Sequence, residues 1–298
     1  MDDSRKYLDP KVLSRLSGLA LRARLVVEGY VSGVHRSPFH GFSVEFAEHR
    51  EYAPGDDLRY LDWKVFGRTD KFYLKQFEEE TNLACHLLVD TSESMTYRGP
   101  AAAMSKLDYA CCAAASLAYL ILHQQDSVGL AAVDRDIRAL VRPSTNPSHM
   151  EQIIAVMENT VPEKKTALGP IFHELAGRFD KRGIVIVLSD LFDDIEGMVK
   201  GLKHLRHRRH EVVLMHVLDP AELEFPFDQT TLFRGLEQAQ QAIVEPRALR
   251  RAYLEEFNGY LRRLKYACRA LRMDYVQLRT DQSLEVVLSS YLASRGRR

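Results

Sequence analysis

The 298-residue sequence contains no hydrophobic run near the ~20 residues that a membrane-spanning helix needs. Its longest apolar stretches, Ala84–Val89 and Ile184–Leu188, have the length of strands. Neither sign of charge predominates: 41 Lys and Arg face 41 Asp and Glu, and the formal net charge is zero. A protein that coats nucleic acid or lies on a membrane surface uses an overall field that this chain lacks. Glycine and proline number 16 and 11, too few for a fibrous or low-complexity chain. The four cysteines, Cys85, Cys111, Cys112 and Cys268, form no CxxC and no Cys/His ligand spacing. They read as reduced, packed thiols of a cytoplasmic protein. The opening MDDSRKYLDPKV is charged and lacks the apolar segment of a signal peptide, so no secretory leader is expected. Walker A, GxGxxG and GxSxG patterns are missing, which leaves nucleotide hydrolysis, dinucleotide binding and serine hydrolysis without motif support.

What remains is an ordinary globular composition, 46% hydrophobic and 28% charged. The pattern changes near residue 80. Residues 1–80 hold a helical start and then a polar, aromatic-rich, irregular stretch, read as an N-terminal extension packing on the main domain. Residues 81–298 alternate short apolar runs with amphipathic helices. ACHLLVD (84–90), GIVIVLSD (183–190) and EVVLMHVLD (211–219) are apolar runs closed by an aspartate. Between the first two lie a small-residue helix (105–124), a hairpin (127–133 and 137–141, turning at Asp134–Asp136), and helices near 147–158 and 168–180. A helix near 195–207 precedes the third run. A long helix (247–271), a strand (273–280) and a closing helix (283–293) complete the chain. Residues 220–246 interrupt the alternation as a β-rich insertion before the last helix–strand unit. Fully apolar strands separated by helices are buried on both faces, which predicts an α/β fold with an open, mostly parallel sheet flanked by helices.

In such sheets ligands bind at the carboxyl ends of the strands. The first such end reads Asp90-Thr91-Ser92-Glu93-Ser94, and another reads Leu188-Ser189-Asp190. Lys164-Lys165-Thr166 precedes a helix between them. Three hydroxyls (Ser92, Ser94, Thr166) and two carboxylates (Asp90, Asp190) suit a hard cation: Mg2+, with Mn2+ or Ca2+ as the other choices. Neutral ligands leave the cation's charge largely uncompensated. The site therefore favours gripping a carboxylate on a protein partner over activating water. The plain alternative is that these side chains are helix caps and turn residues, Thr166 above all.

DTSES followed by Thr166 and Asp190 resembles the metal-ion-dependent adhesion site of the von Willebrand factor A domain. The stretch Arg50–Trp63 (REYAPGDDLRYLDW), followed by Lys75–Glu80 (KQFEEE), resembles the signature of a bacterial family, the domain of unknown function numbered fifty-eight. The resemblance covers roughly residues 35 to 295. It implies a von Willebrand factor A-like, Rossmann-like fold with the adhesion-site ligands placed as above. It also implies an adaptor or chaperone-like role beside a MoxR-type AAA+ ATPase, without nucleic acid. Lys164-Lys165 departs from the glycines found there in relatives, and two lysines weaken a cation's hold by repulsion.

Other motifs have plainer readings. Arg50, Arg59 and Arg68 are expected to pair with Asp56, Asp57 or Asp62 as a latch, with Trp63 packing against the α/β domain. His204, His207 and His210, within a basic run, read as a solvated helix C-terminus. Two rival functions stand beside the interaction module: a Mg2+-dependent phosphohydrolase with Asp90 as nucleophile, and a scaffold whose site is vestigial. The phosphohydrolase lacks the second carboxylate two residues after its nucleophile, where Ser92 stands. The chain is therefore read as a non-enzyme.

Overall fold

A computed structural model describes residues 18–31, 45–51, 63–69, 72–78, 84–162, 165–234 and 241–295. The chain divides into two compact units, Met1–Pro38 with Ala84–Arg298, and Phe39–Leu83. Helix α1 (Leu19–Val31) thus falls in the α/β unit, and the expected boundary near residue 80 is replaced by a smaller unit of residues 39–83. The reason is apolar: Leu19, Ala23, Val26 and Val27 are buried.

The smaller unit holds strand β1 (Glu45–Glu51), helix α2 (Trp63–Thr69) and strand β2 (Tyr73–Glu78), with β1 and β2 antiparallel. Phe66 stacks on Phe72 at 4.5 Å between ring centroids. Trp63, expected to pack against the α/β domain, is 66% exposed and meets the Phe66 ring edge-on. The arginine–aspartate latch falls on Asp56, Asp57, Arg59 and Asp62 and on the side chains of Arg50 and Arg68, outside the described residues.

The larger unit is built on β3 (Ala84–Asp90), β4 (Ser127–Val133), β5 (Ile137–Ser144), β6 (Gly183–Ser189), β7 (Glu211–Leu218) and, last in the chain, β10 (Asp274–Arg279). Their order across the sheet is β10-β7-β6-β3-β4-β5. Every pairing is parallel except the β4–β5 hairpin at one edge. Every residue of β3 and β6 is buried, as the unbroken apolar runs require of central parallel strands. From β3 the chain moves out to β4 and β5, then returns to the other flank of β3 to begin β6. The gap between the carboxyl ends of β3 and β6 is therefore the switch point at which open α/β sheets bind ligands.

The crossover helices are α3 (Lys106–His123), α4 (His149–Asn159), α5 (Leu168–Arg178) and α6 (Ile195–His207). In α3 the small residues Ala110, Ala113, Ala114, Ala115 and Ala118 are all fully buried. With so little side chain in the way, the helix lies close to the sheet and also packs on α1. Helices α5 and α6 cross at glycines: a Cβ on Gly201 would fall 2.5 Å from the Gly169 carbonyl oxygen. That close crossing, with Phe172, Leu202 and Val187 in one core, fixes the loops that lead into α5 and α6.

The insertion is a short helix, α7 (Pro220–Glu224), and a two-stranded hairpin, β8 (Thr231–Arg234) with β9 (Gln241–Val244). Phe225, in the left-handed region at φ 47°, turns into an aromatic cluster with Phe227, Phe233 and Tyr253. Tyr253 comes from the long helix α8 (Pro246–Ala270), and α9 (Leu284–Arg295) closes the chain. All four cysteines are buried and unbonded, and burial pushes the Cys85 thiol far above its ordinary value. Among the described residues no helix is long and apolar enough to cross a membrane.

Candidate functional site

Strand β3 delivers Asp90 to the carboxyl edge of the sheet, 1% exposed. The chain then tightens. The Ser92 N–H donates to Asp90 Oδ1 at 3.0 Å, and a 3-10 turn follows over Glu93–Thr96. Ser92 stands at the cap position of this turn, yet its hydroxyl makes no capping bond. It lies instead 3.1 Å from the Ser94 hydroxyl. Thr91 is tied to the neighbouring strand, its N–H and hydroxyl both donating to the Val133 carbonyl. The loop is thereby pinned while Ser92 and Ser94 face the site.

Thr166 reaches the same place from the loop before α5. Its hydroxyl lies 3.4 Å from each Asp90 oxygen, and Ala167, not Thr166, is the cap residue of the helix. The first N–H of that helix, on Leu168, donates to Asp193 Oδ2 at 2.8 Å. A carboxylate from the β6–α6 loop thus caps α5 and ties the Thr166 loop to the Asp190 loop. Of the two lysines before Thr166, Lys164 lies outside the described residues and Lys165 is exposed.

Asp190 is 3% exposed at the end of β6. Its Oδ1 accepts from the Phe192 N–H at 3.2 Å, and its Oδ2 accepts from Lys106 Nζ at 2.8 Å. Lys106 also donates to Glu222 Oε1 at 2.7 Å. Glu222 in turn accepts from the Asp219 N–H in a capping box that starts α7. The Asp190 carbonyl accepts from His216 Nε2 at 2.7 Å, which leaves His216 Nδ1 to accept from Tyr275. Leu191, at φ 52°, is buried, and the reversal turns Phe192 outward with 61% exposure beside Asp190.

The two acids have opposite electrostatics. Burial and the charge of Asp190 push the Asp90 carboxyl up to about 7, against the pull of hydrogen bonds from Ser189 and Ser92. Burial works the same way on Asp190. There, however, the Lys106 ammonium, with hydrogen bonds from Ser94 and the Phe192 N–H, holds the carboxyl below its ordinary value. Asp190 is a compensated carboxylate and Asp90 an uncompensated one. Among the described residues no three His, Cys, Asp or Glu side chains gather in a way that could hold a metal ion. A cation here depends on the hydroxyls.

All five residues singled out from the sequence therefore lie in one buried to half-buried network. Sequence reasoning missed Lys106, Ser189 and Glu222. Ser189 donates to Asp90 Oδ2 at 2.5 Å and accepts from the Leu191 N–H. The histidines of the basic run do not meet each other: His204 Nδ1 lies 3.0 Å from His173 Nδ1, while His210 is buried near His86. His207 is exposed and basic residues do close α6, as expected at a helix C-terminus, but His210, at 1% exposure, is not part of a solvated end.

The open sheet, one antiparallel edge strand and a serine-rich loop at the switch point define a von Willebrand factor A-like α/β protein. The chain is similar to BatB from Bacteroides thetaiotaomicron, at 16% identity and a TM-score of 0.48, over 72% of this chain and 100% of that one. It is also similar to the SpRpn10 VWA domain, at 12% identity and a TM-score of 0.40, over 69% and 93% of the two chains. The fold assignment rests on the strand order and crossovers above. Residues 48–260 match the family model described as "Protein of unknown function DUF58", and the chain belongs to that family. Its similar relatives include the uncharacterized proteins Rv1480 of Mycobacterium tuberculosis and Mb1516 of Mycobacterium bovis. Each is 27% identical over 294 residues, 97% of this chain and 91% of theirs.

Proposed function

We propose that this protein is a non-enzymatic interaction module that grips a carboxylate of a protein partner through a divalent cation. The cation is Mg2+, held by Asp90, Ser92, Ser94 and Thr166, with Asp190 behind them. The observation that carries the reading is the pair of Ser92 and Ser94 hydroxyls, 3.1 Å apart, the first also bonded to Asp90 and the second to Asp190. Neighbouring donors of an octahedral Mg2+ site, at about 2.1 Å from the ion, stand about 3.0 Å from each other. The spare charge on Asp90 supports the same reading, because a cation would offset what burial and Asp190 impose. When bound, the ion supplies an open coordination position for an external carboxylate. The protein's own groups orient that encounter: Lys165 is an exposed positive charge beside Thr166, and Phe192 is an exposed ring beside Asp190. A partner segment with an acid next to an apolar residue matches both.

Calorimetry of Mg2+ binding tests this directly. Wild type is expected to bind at millimolar concentrations or below and Asp90→Ala not at all; a flat titration for wild type would sink the metal reading. The phosphohydrolase alternative predicts Asp90-dependent turnover of a generic phosphoester, and no turnover is expected. A vestigial scaffold predicts that Mg2+ leaves the melting temperature where it was, whereas a bound ion must raise it.

The proposed setting is the cytoplasm, beside a MoxR-type AAA+ ATPase that remodels the gripped partner. Buried unpaired thiols support the compartment. The family signature at residues 50–63 supports the ATPase. Co-purification from the native host is expected to bring down an AAA+ protein, and repeated failure to do so counts against the association.

A further inference from the structure

Lys106 is the most anomalous residue of the site. It is the first residue of α3, where the helix's free N–H groups already concentrate positive charge and a lysine is locally unfavourable. It is also 2% exposed, and a buried ammonium is costly without close partners. It has two, Asp190 at 2.8 Å and Glu222 at 2.7 Å, and its Nζ lies 5.9 Å from the Tyr97 ring centroid. An ion pair that served stability alone is replaceable by apolar groups at little cost. Here one arm of the pair is instead a carboxylate of the proposed cation site.

We infer that Lys106 is a tethered second cation of this site, neutralising Asp190 so that the site takes a monoanionic carboxylate from its partner. The inference rests on the metal reading above and specifies its charge. Asp90, Asp190 and Glu222 carry three negative charges and Lys106 one positive. A divalent ion then brings the group to neutrality, and an external carboxylate meets no net repulsion. Without Lys106 the same ion would be held more tightly but would leave the group net negative, and the external acid would be repelled. Lys106 therefore weakens the grip on the metal and strengthens the grip on the partner's acid. It touches neither the partner nor the ion; it is a positioning residue acting through Asp190.

The signs of two substitutions test this. Lys106→Met is expected to bind Mg2+ about tenfold more tightly than wild type or better, and Glu222→Gln about threefold more weakly, because each shifts the local charge by one. Acetate serves as the carboxylate probe. In wild type it is expected to tighten Mg2+ binding, by reciprocal linkage, and in Lys106→Met to have no such effect. A purely structural lysine moves the melting temperature but neither of these readouts. Mg2+ binding by wild type with unchanged affinity in both variants overturns the inference and leaves the metal reading standing. No Mg2+ binding by any of the three proteins overturns both. If Lys106→Met does not fold, Glu222→Gln decides alone: weakened binding supports the inference and unchanged binding overturns it.

Discussion

Asp90→Asn is expected to abolish Mg2+ binding and, in EDTA at pH 8, to raise the melting temperature of the same protein. The two effects have one cause. Asp90 is 1% exposed, and burial with the neighbouring Asp190 charge pushes its carboxyl up to about 7. A carboxyl raised in the folded state adds stability below its unfolded value, and loses that contribution as pH rises through about 7. At pH 8 the ionised Asp90 is a burden that only a cation relieves. Asparagine removes the charge while its carbonyl still accepts from the Ser92 N–H. Imperfect replacement of the Ser189 and Thr166 bonds takes back part of the gain. A net gain on the order of 1–2 kcal/mol remains, or a few degrees. Thermal melts of the two proteins, with and without Mg2+, check it. If Asp90 were only a loop brace, asparagine would lower the melting temperature and Mg2+ would move neither protein.

Acid sensitivity is the second large effect. His86 and His216 are both lowered to about 4, chiefly by burial. His86 lies against Phe179 at 3.7 Å between ring centroids, with the His210 charge also opposing its protonation. His216 is locked between the Asp190 carbonyl and Tyr275. Unfolded histidine titrates near 6.5, so between about 6.5 and 4 the unfolded chain binds more protons than the folded one. The contribution of these residues is complete above about 6.5 and is lost as pH falls through about 4. Each is worth roughly 3 kcal/mol at most across that window. Asp90 runs the other way over much of the same range and offsets part of the loss. Urea denaturation is therefore expected to give a clearly lower midpoint at pH 4.5 than at pH 7. The drop should be steeper in Asp90→Asn, where the offset is gone, and shallower in His86→Gln. Equal midpoints at the two pH values would mean that the histidines are not held neutral by the fold.

The α/β layout was legible because central parallel strands must be apolar on both faces. ACHLLVD and GIVIVLS therefore stand out as unbroken runs, and both strands begin and end within a residue of the reading. The acids that close those runs mark the carboxyl edge, which puts Asp90 and Asp190 at the same edge of the sheet. Thr166 was ambiguous because a hydroxyl just before a helix reads equally as a cap. In the fold Ala167 takes the cap position and Asp193 reaches across from another loop, which leaves the Thr166 hydroxyl 3.4 Å from Asp90. Pairing between loops leaves no local pattern. Lys106 escaped for a related reason: its partners lie 84 and 116 residues away in the chain. A signal was present all the same, since a lysine opening the first turn of a buried helix conflicts with the helix dipole. Helix α1 is legible as a helical start and α3 as a small-residue helix, but nothing local in either says that the two pack together.

Crystals grown with Mn2+ in place of Mg2+ give the most direct test of the cation site, since the ion's anomalous scattering marks its position. One peak is expected, within about 2.1–2.3 Å of oxygens from Asp90, Ser92 and Ser94. It should vanish in Asp90→Asn. A site with no such peak, while Ser92 and Ser94 keep their present places, would contradict the account.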